Sequence, residues 1–166
     1  GVTQTATLQF IVKDNLGNPV KDGTTVEFTL GKTTLGGGET ITTGEGNDAT
    51  QATGQTNNGI ASVTLKSGTV AGTIDVIATV GKISTVARLT IVSSRPDADH
   101  LSLAAQFLNI AGGVKFGLLD NITAYVGDRF GNVVPDGTSV SFITEGGTIG
   151  KSIGKEAFTT TTEFGQ

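Results

Sequence analysis

The sequence contains no cysteine, methionine or tryptophan and only one histidine, and aromatic residues make up 5% of its 166 positions. Without cysteine there is no disulfide scaffold, no thiol catalysis and no thiolate metal site. The sequence has no continuous apolar run of membrane-spanning length, so it predicts no direct membrane insertion. The net charge is −4, and the chain has no basic patch. Nucleic acid is therefore not expected as a partner.

The residues that are abundant favour strands and turns. Threonine occurs 28 times and glycine 25 times. Threonine, with valine, isoleucine and phenylalanine, favours strands, whereas glycine, asparagine and aspartate favour the turns between them. Apolar residues with a helical period are almost absent. The composition predicts an all-β protein.

A fifteen-residue stretch, 14–28, recurs at 128–142 without a gap, and nine of its positions are identical. Each copy predicts a strand, a two-part turn and a second strand. In each turn a glycine, Gly17 or Gly131, can take a positive φ angle. The spacing of the two copies fits tandem immunoglobulin-like β-sandwiches of roughly 100 residues each. We place the first domain at 1–93 and the second at 94–166.

Alternating apolar and polar residues predict the strands. In the first domain they are 5–13, 24–30, 39–43, 49–53, 60–66, 73–80 and 83–92. Residues 93–99 are polar, contain Pro96 and are predicted to form a short, semi-rigid linker. The second domain is predicted to have strands at 100–107, 120–126 and 139–144.

The two domains do not cover the same part of the repeat. The second stops where the first continues through 60–92, so we expect it to lack its C-terminal strands. The first has no counterpart of the leading strand at 100–107. An excerpt of a longer protein is the favoured explanation. The alternative is that a neighbouring chain supplies strands to the open sandwich edge.

The repeat carries a family resemblance. An alternating strand leads into Asp-x-x-Gly-Asn-Pro-Val and then x-Asp-Gly-Thr-x-Val-x-Phe; Asn58–Ser67 and Ala71–Ala78 follow. Together these segments resemble the bacterial immunoglobulin-like group 1 domain of intimin- and invasin-type adhesins. The second copy departs from the pattern, with Val133 at the position of Pro19. The resemblance implies a modular β-sandwich of a bacterial cell-surface or secreted protein, with neighbouring immunoglobulin-like domains as its partners.

Few residues are candidates for catalysis or metal binding. The single histidine, His100, has no nucleophile motif beside it, so no enzyme activity is expected. The turn carboxylates of Asp14, Asp22, Asp128 and Asp136 suit calcium, but aspartate is also favoured in turns for its own backbone hydrogen bonds, which is the preferred interpretation. Asp97 and Asp99 in the linker are the better candidates for calcium, as ligands of an ion between the domains. No other cofactor is expected.

The sequence therefore predicts a non-catalytic adhesion module that acts as a stalk or spacer, with a host or cell-surface protein or glycan as a further candidate partner. The alternative is a carbohydrate- or protein-binding accessory module of an extracellular enzyme. The sequence pattern does not indicate which ligand the chain binds.

Overall fold

The structure is a computed structural model that describes residues 4–31, 34–44, 49–150 and 157–166. Contacts between residues group the chain into two compact units, Gly1–Val92 and Ser93–Gln166. The domain boundaries drawn from the sequence, as limits of independently folding domains, stay a prediction.

The described part of the first unit contains seven strands in two sheets. They are β1 (Thr5–Ile11), β2 (Thr25–Leu30), β3 (Thr40–Thr42), β4 (Gln51–Gln55), β5 (Ile60–Lys66), β6 (Gly72–Val80) and β7 (Ile83–Ile91). One sheet has the order β1-β5-β3 and the other β4-β2-β6-β7, with antiparallel pairing throughout. The predicted strand at 49–53 is shifted, because Ala49 makes only an isolated bridge to Ile41.

The core of the first unit lies between these two sheets. Alternation along each strand sends every second side chain inward. The sheets meet where Phe10 of β1 lies against Phe28 of β2, with ring centroids 5.5 Å apart. The remaining buried apolar side chains of the cluster are Val26, Leu30, Ile41, Ala61, Val63, Leu65, Ile74, Val76 and Ala78.

The second unit contains four described strands in two sheets of two strands each. They are β8 (Pro96–Ala105), β9 (Ile122–Asp128), β10 (Ser139–Ile143) and β11 (Ala157–Thr161). β8 pairs with β9 and β10 pairs with β11, both antiparallel. Among the described residues of this unit, the buried apolar side chains are Ala124, Val126 and Val134. Across the described ranges of both units, no helix is long and apolar enough to cross a membrane.

Two expectations about the second unit need correction. Residues 96–99 belong to β8 and not to a linker, because Pro96 is the first residue of the strand, a position that requires no backbone donor. β11 was not predicted, since its sequence Ala-Phe-Thr-Thr-Thr is mostly polar and its side chains are mostly exposed. A comparison of the two copies of the repeat locates it, because β11 takes the place that β4 has in the first unit.

Candidate functional site

The repeated stretch forms a turn that closes on its own aspartate. In the first unit, Asp14 Oδ1 accepts hydrogen bonds from the N–H groups of Leu16 and Asn18, each at 2.9 Å. Gly17, at the tip, has φ = +86°. Residues other than glycine rarely adopt this backbone conformation, because their Cβ atom is crowded there. These bonds hold the pKa of Asp14 below its usual range, the one from Asn18 most strongly.

The second half of the turn is held by residues distant in sequence. Asp22 Oδ1 accepts the N–H of Asn58 at 2.7 Å. The buried hydroxyl of Thr56 donates to the carbonyl of Lys21 at 2.9 Å and accepts the N–H of Thr24 at 3.1 Å. The turn is thereby fixed to the segment between β4 and β5. We call this arrangement, residues 14–24 with 56–59, the turn lock.

The second unit repeats the turn lock bond for bond, in residues 128–138 with 162–165. Asp136 Oδ1 accepts the N–H of Phe164 at 2.7 Å. The hydroxyl of Thr162 donates to the carbonyl of Pro135 at 3.1 Å and accepts the N–H of Thr138 at 3.2 Å. Phe164 takes φ = +51°, as Asn58 takes +49°. In both copies the turn carboxylates accept backbone hydrogen bonds.

Asp128 differs from its counterpart Asp14 in being buried, with 1% of its surface exposed. Its Oδ1 accepts the N–H groups of Phe130 and Asn132, each at 2.9 Å. Its Oδ2 accepts the N–H of Ser94 at 2.8 Å. Burial acts to raise the pKa of Asp128, but the hydrogen bonds from Asn132, Ser94 and Phe130 outweigh it and leave the pKa below its usual range. The carboxylate thus ties the start of the second unit to its turn lock.

The sequence-predicted calcium ligands lie on β8. Asp97 Oδ2 contacts His100 Nδ1 at 2.9 Å, and both side chains are partly exposed. Among the described residues, no three histidine, cysteine, aspartate or glutamate side chains are grouped as metal ligands would be. Calcium takes six to eight oxygens, so Asp97 and Asp99 would supply only a minority of its ligands. The calcium site stays a prediction.

A shallow groove of about 430 Å³ lies on the second unit, between β8, β9 and the turn at 163–166. His100, Tyr125 and Phe164 are among the residues that line it. Tyr125 is 46% exposed and Phe164 is 76% exposed. The groove combines aromatic surface with the side chains of Asp99 and His100. Sequence reasoning missed it because its residues are distant along the chain.

Comparison with known proteins supports the fold. No family model matches the chain, and no curated protein matches it in sequence. A solved structure of FdeC, described as a broadly conserved Escherichia coli adhesin, superposes with a TM-score of 0.54 at 18% identity, covering 95% of this chain and 50% of that one. A structure of invasin, described as a bacterial integrin-binding protein, gives a TM-score of 0.42 at 20% identity, covering 96% of this chain and 33% of that one.

The chain therefore spans about half the length of the FdeC structure and a third of the invasin structure. At these identities the likeness concerns the fold. The predicted class, an all-β protein of immunoglobulin-like sandwich type, is confirmed. The fold agrees with the resemblance that the repeated motifs carry.

Proposed function

We propose that this chain is a non-catalytic adhesion module of a bacterial cell-surface or secreted protein and that it acts as a stalk or spacer. The observation that carries the proposal is the fold shared with the FdeC adhesin along 95% of the chain. Neighbouring immunoglobulin-like domains of the same protein are its proposed partners. A host or cell-surface protein or glycan would then be bound by the assembly that the stalk carries.

The turn lock suits a module that has to resist mechanical extension. A spacer has to stay folded when its ends are pulled. Local unfolding starts in the least stable segments, which are commonly loops. In each unit the loop is held by a buried threonine hydroxyl and an aspartate carboxylate that form hydrogen bonds between segments distant in sequence. Loops fixed in this way preserve the spacing of the strands that they join.

The stalk function is tested by measuring how the maximum dimension of the protein grows when copies of the chain are joined in tandem. One, two and three copies of residues 1–166 in tandem are compared by small-angle X-ray scattering. A spacer gives equal increments of maximum dimension per copy. Increments that shrink with copy number, as in a flexible chain whose extension grows with the square root of its length, would refute a stalk.

The groove favours a second candidate, a binding module that takes a carbohydrate on its aromatic surface. Sugar rings stack on exposed aromatic faces, and Tyr125 and Phe164 present such faces in one groove. A glycan array probed with the full chain tests this function. Binding that Tyr125→Ala abolishes would support the module, whereas an array without hits leaves the stalk as the function.

A further inference from the structure

Strand β7 is the longest edge strand in the described part of the first unit. It lies at one end of the sheet β4-β2-β6-β7 and pairs with β6 over all nine of its residues, without a register shift. Within the described part of the chain, the backbone groups on its other side have no backbone partner. The next strand along the chain, β8, pairs with β9. An open strand edge of this kind is a template for the addition of another strand.

The turn before β7 determines which of its backbone groups face the open side. Gly81 and Lys82 form a two-residue turn between Val80 and Ile83, with φ = +60° at Gly81. Such a turn closes on a hydrogen-bonded pair, after which non-bonded and bonded pairs alternate along the antiparallel ladder. Ile83 and every second residue after it therefore bond to β6. The N–H and C=O groups of the residues between them face the open side, namely those of Ser84, Val86, Arg88 and Thr90.

The edge of β7 lacks the features that usually keep edge strands from pairing. Natural edge strands are short, or they carry proline, lysine or a bulge. Elsewhere in the unit, β3 has only three residues, and β4 contains Gly54, which has no side chain to pack. β7, described throughout, contains no proline, lysine or bulge, and Ile83 and Val86 are 79% and 54% exposed. Its one charged side chain, Arg88, already donates to Asp75 of the same unit at 2.8 Å.

A second copy of β7 fits this edge in an antiparallel register with Ala87 on a two-fold axis. In that register all four outward residues form hydrogen-bonded pairs with the second copy. Ser84 of each copy pairs with Thr90 of the other, and Val86 of each pairs with Arg88 of the other. Both strands then overlap over their whole length, and the outward N–H and C=O groups of β7 all gain partners.

The side chains of β7 favour the same register. Ile83 lies opposite Ile91 of the second copy in a non-hydrogen-bonded pair, the kind in which side chains are closer together. The exposed side chain of Val86 lies beside the hydrocarbon stem of Arg88 of the second copy. A two-fold axis at Arg88 would instead place two guanidinium groups opposite each other, and like charges in that position destabilise a strand pair. Charge and apolar contact therefore both place the axis at Ala87.

We propose that the free edge of β7 is a self-association site, at which β7 of a second copy of this chain pairs antiparallel about Ala87. The sheet then continues through both copies in the order β4-β2-β6-β7-β7-β6-β2-β4. The added strand extends the sheet and replaces none of its own strands. This self-association does not depend on the stalk function, because it is a property of one edge of the first unit. In a stalk, it would join neighbouring stalks to each other.

The first test measures association and amide exchange of the full chain at concentrations from about 1 μM to about 1 mM, the range of moderate to weak complexes. We expect sedimentation to show a monomer that becomes a dimer. By NMR, the amides of Val86 and Arg88 should exchange about 10-fold more slowly once about nine-tenths of the chain is dimeric, because they are open only in the remaining monomer. The amides of Ala87 and Leu89, which bond to β6, are the internal reference. A chain that stays monomeric throughout would overturn the proposal, as would a dimer in which the amides of Val86 and Arg88 exchange at the monomer rate.

The second test compares the matched variants Val86→Lys and Val86→Glu. Both place one charge at the same exposed position and remove the same apolar side chain, and circular dichroism checks that both fold. The lysine would lie opposite Arg88 of the second copy and repel it, whereas the glutamate would attract it, and the two-fold axis repeats each contact. We expect the dimer of Val86→Lys to be at least about 10-fold weaker than that of Val86→Glu. Equal dissociation constants for the two variants would overturn the pairing of Val86 with Arg88 and, with it, the proposed site.

Discussion

The buried carboxylate of Asp128 accepts the backbone N–H of Ser94 at 2.8 Å, so the turn lock of the second unit also holds the segment that leads into β8. The same oxygen accepts the side-chain amide of Asn132 at 2.9 Å. Since Asp128 is 1% exposed, the loss of one of these partners leaves its carboxylate with an unmet acceptor in a site of low solvent exposure, which costs stability. One aspartate thus joins two parts of the unit that are distant in sequence.

Asp128→Asn should destabilise the second unit by about 1–3 kcal/mol. The side-chain NH₂ group of asparagine cannot accept the hydrogen bonds that backbone N–H groups donate to the carboxylate of Asp128. Tyr125 is the only tyrosine and lies in β9, so its fluorescence reports unfolding of this unit. Urea unfolding followed by that signal measures the effect. The matched variant Asp14→Asn changes an exposed carboxylate and should leave the Tyr125 transition in place. Equal transitions in all three proteins would contradict the role given to Asp128.

The same carboxylate predicts a pH dependence. The pKa of Asp128 is lower in the folded protein than its usual value of about 3.9. A group with a lowered pKa contributes stability above its unfolded pKa, and that contribution is lost as the pH falls through the folded value. The free energy of unfolding should therefore decline below about pH 4. Asp128→Asn should flatten this decline in the Tyr125 transition; parallel declines would refute the assignment.

The sequence identified the strands of the first unit because their alternation is regular and their boundaries are set by glycine. It predicted β5 at 60–66 with the bounds that the structure shows. It misjudged 96–99, since a polar segment with a proline is typical of linkers as well as of strand ends. Alternation decides which face is buried but not how much of a strand is paired.

The contacts of the turn lock were beyond local sequence reasoning. Asp22 and Asp136 have the pattern of turn residues, but their partners Asn58 and Phe164 lie far along the chain. A side-chain amide at one position and a phenyl ring at the other hide the equivalence, because the backbone N–H makes the bond in both. The matching positions of Thr56 and Thr162 in the repeat were the one available signal.

Gly131→Val should destabilise the second unit by more than about 1 kcal/mol, because a β-branched residue is strained at positive φ. Gly131 has φ = +80°, and a Cβ built there meets no atom within 4 Å, so backbone conformation alone accounts for the cost. The control is Gly146→Val, at a glycine with equally open space and no positive φ. Thermal melting of both variants makes the comparison. The prediction fails if the two variants melt together.

Gly17→Val should have the corresponding effect on the first unit, because Gly17 has φ = +86° and open space around its Cα. The second unit should respond less, and circular dichroism combined with Tyr125 fluorescence separates the two. A loss confined to the Tyr125 signal would contradict the assignment of this turn to the first unit.

Thr162→Val should destabilise the second unit more than Thr162→Ser does. Valine keeps the shape but removes the hydroxyl that bonds Pro135 and Thr138, so two part-buried hydrogen bonds are lost, each worth about 0.5–1.5 kcal/mol. Serine keeps the hydroxyl and loses one methyl group, worth about 0.8 kcal/mol. The order of the two variants in urea, read from Tyr125, distinguishes hydrogen bonding from packing. If serine proves the worse substitution, the methyl group of Thr162 matters more than its hydroxyl, and the turn lock is held by apolar contact.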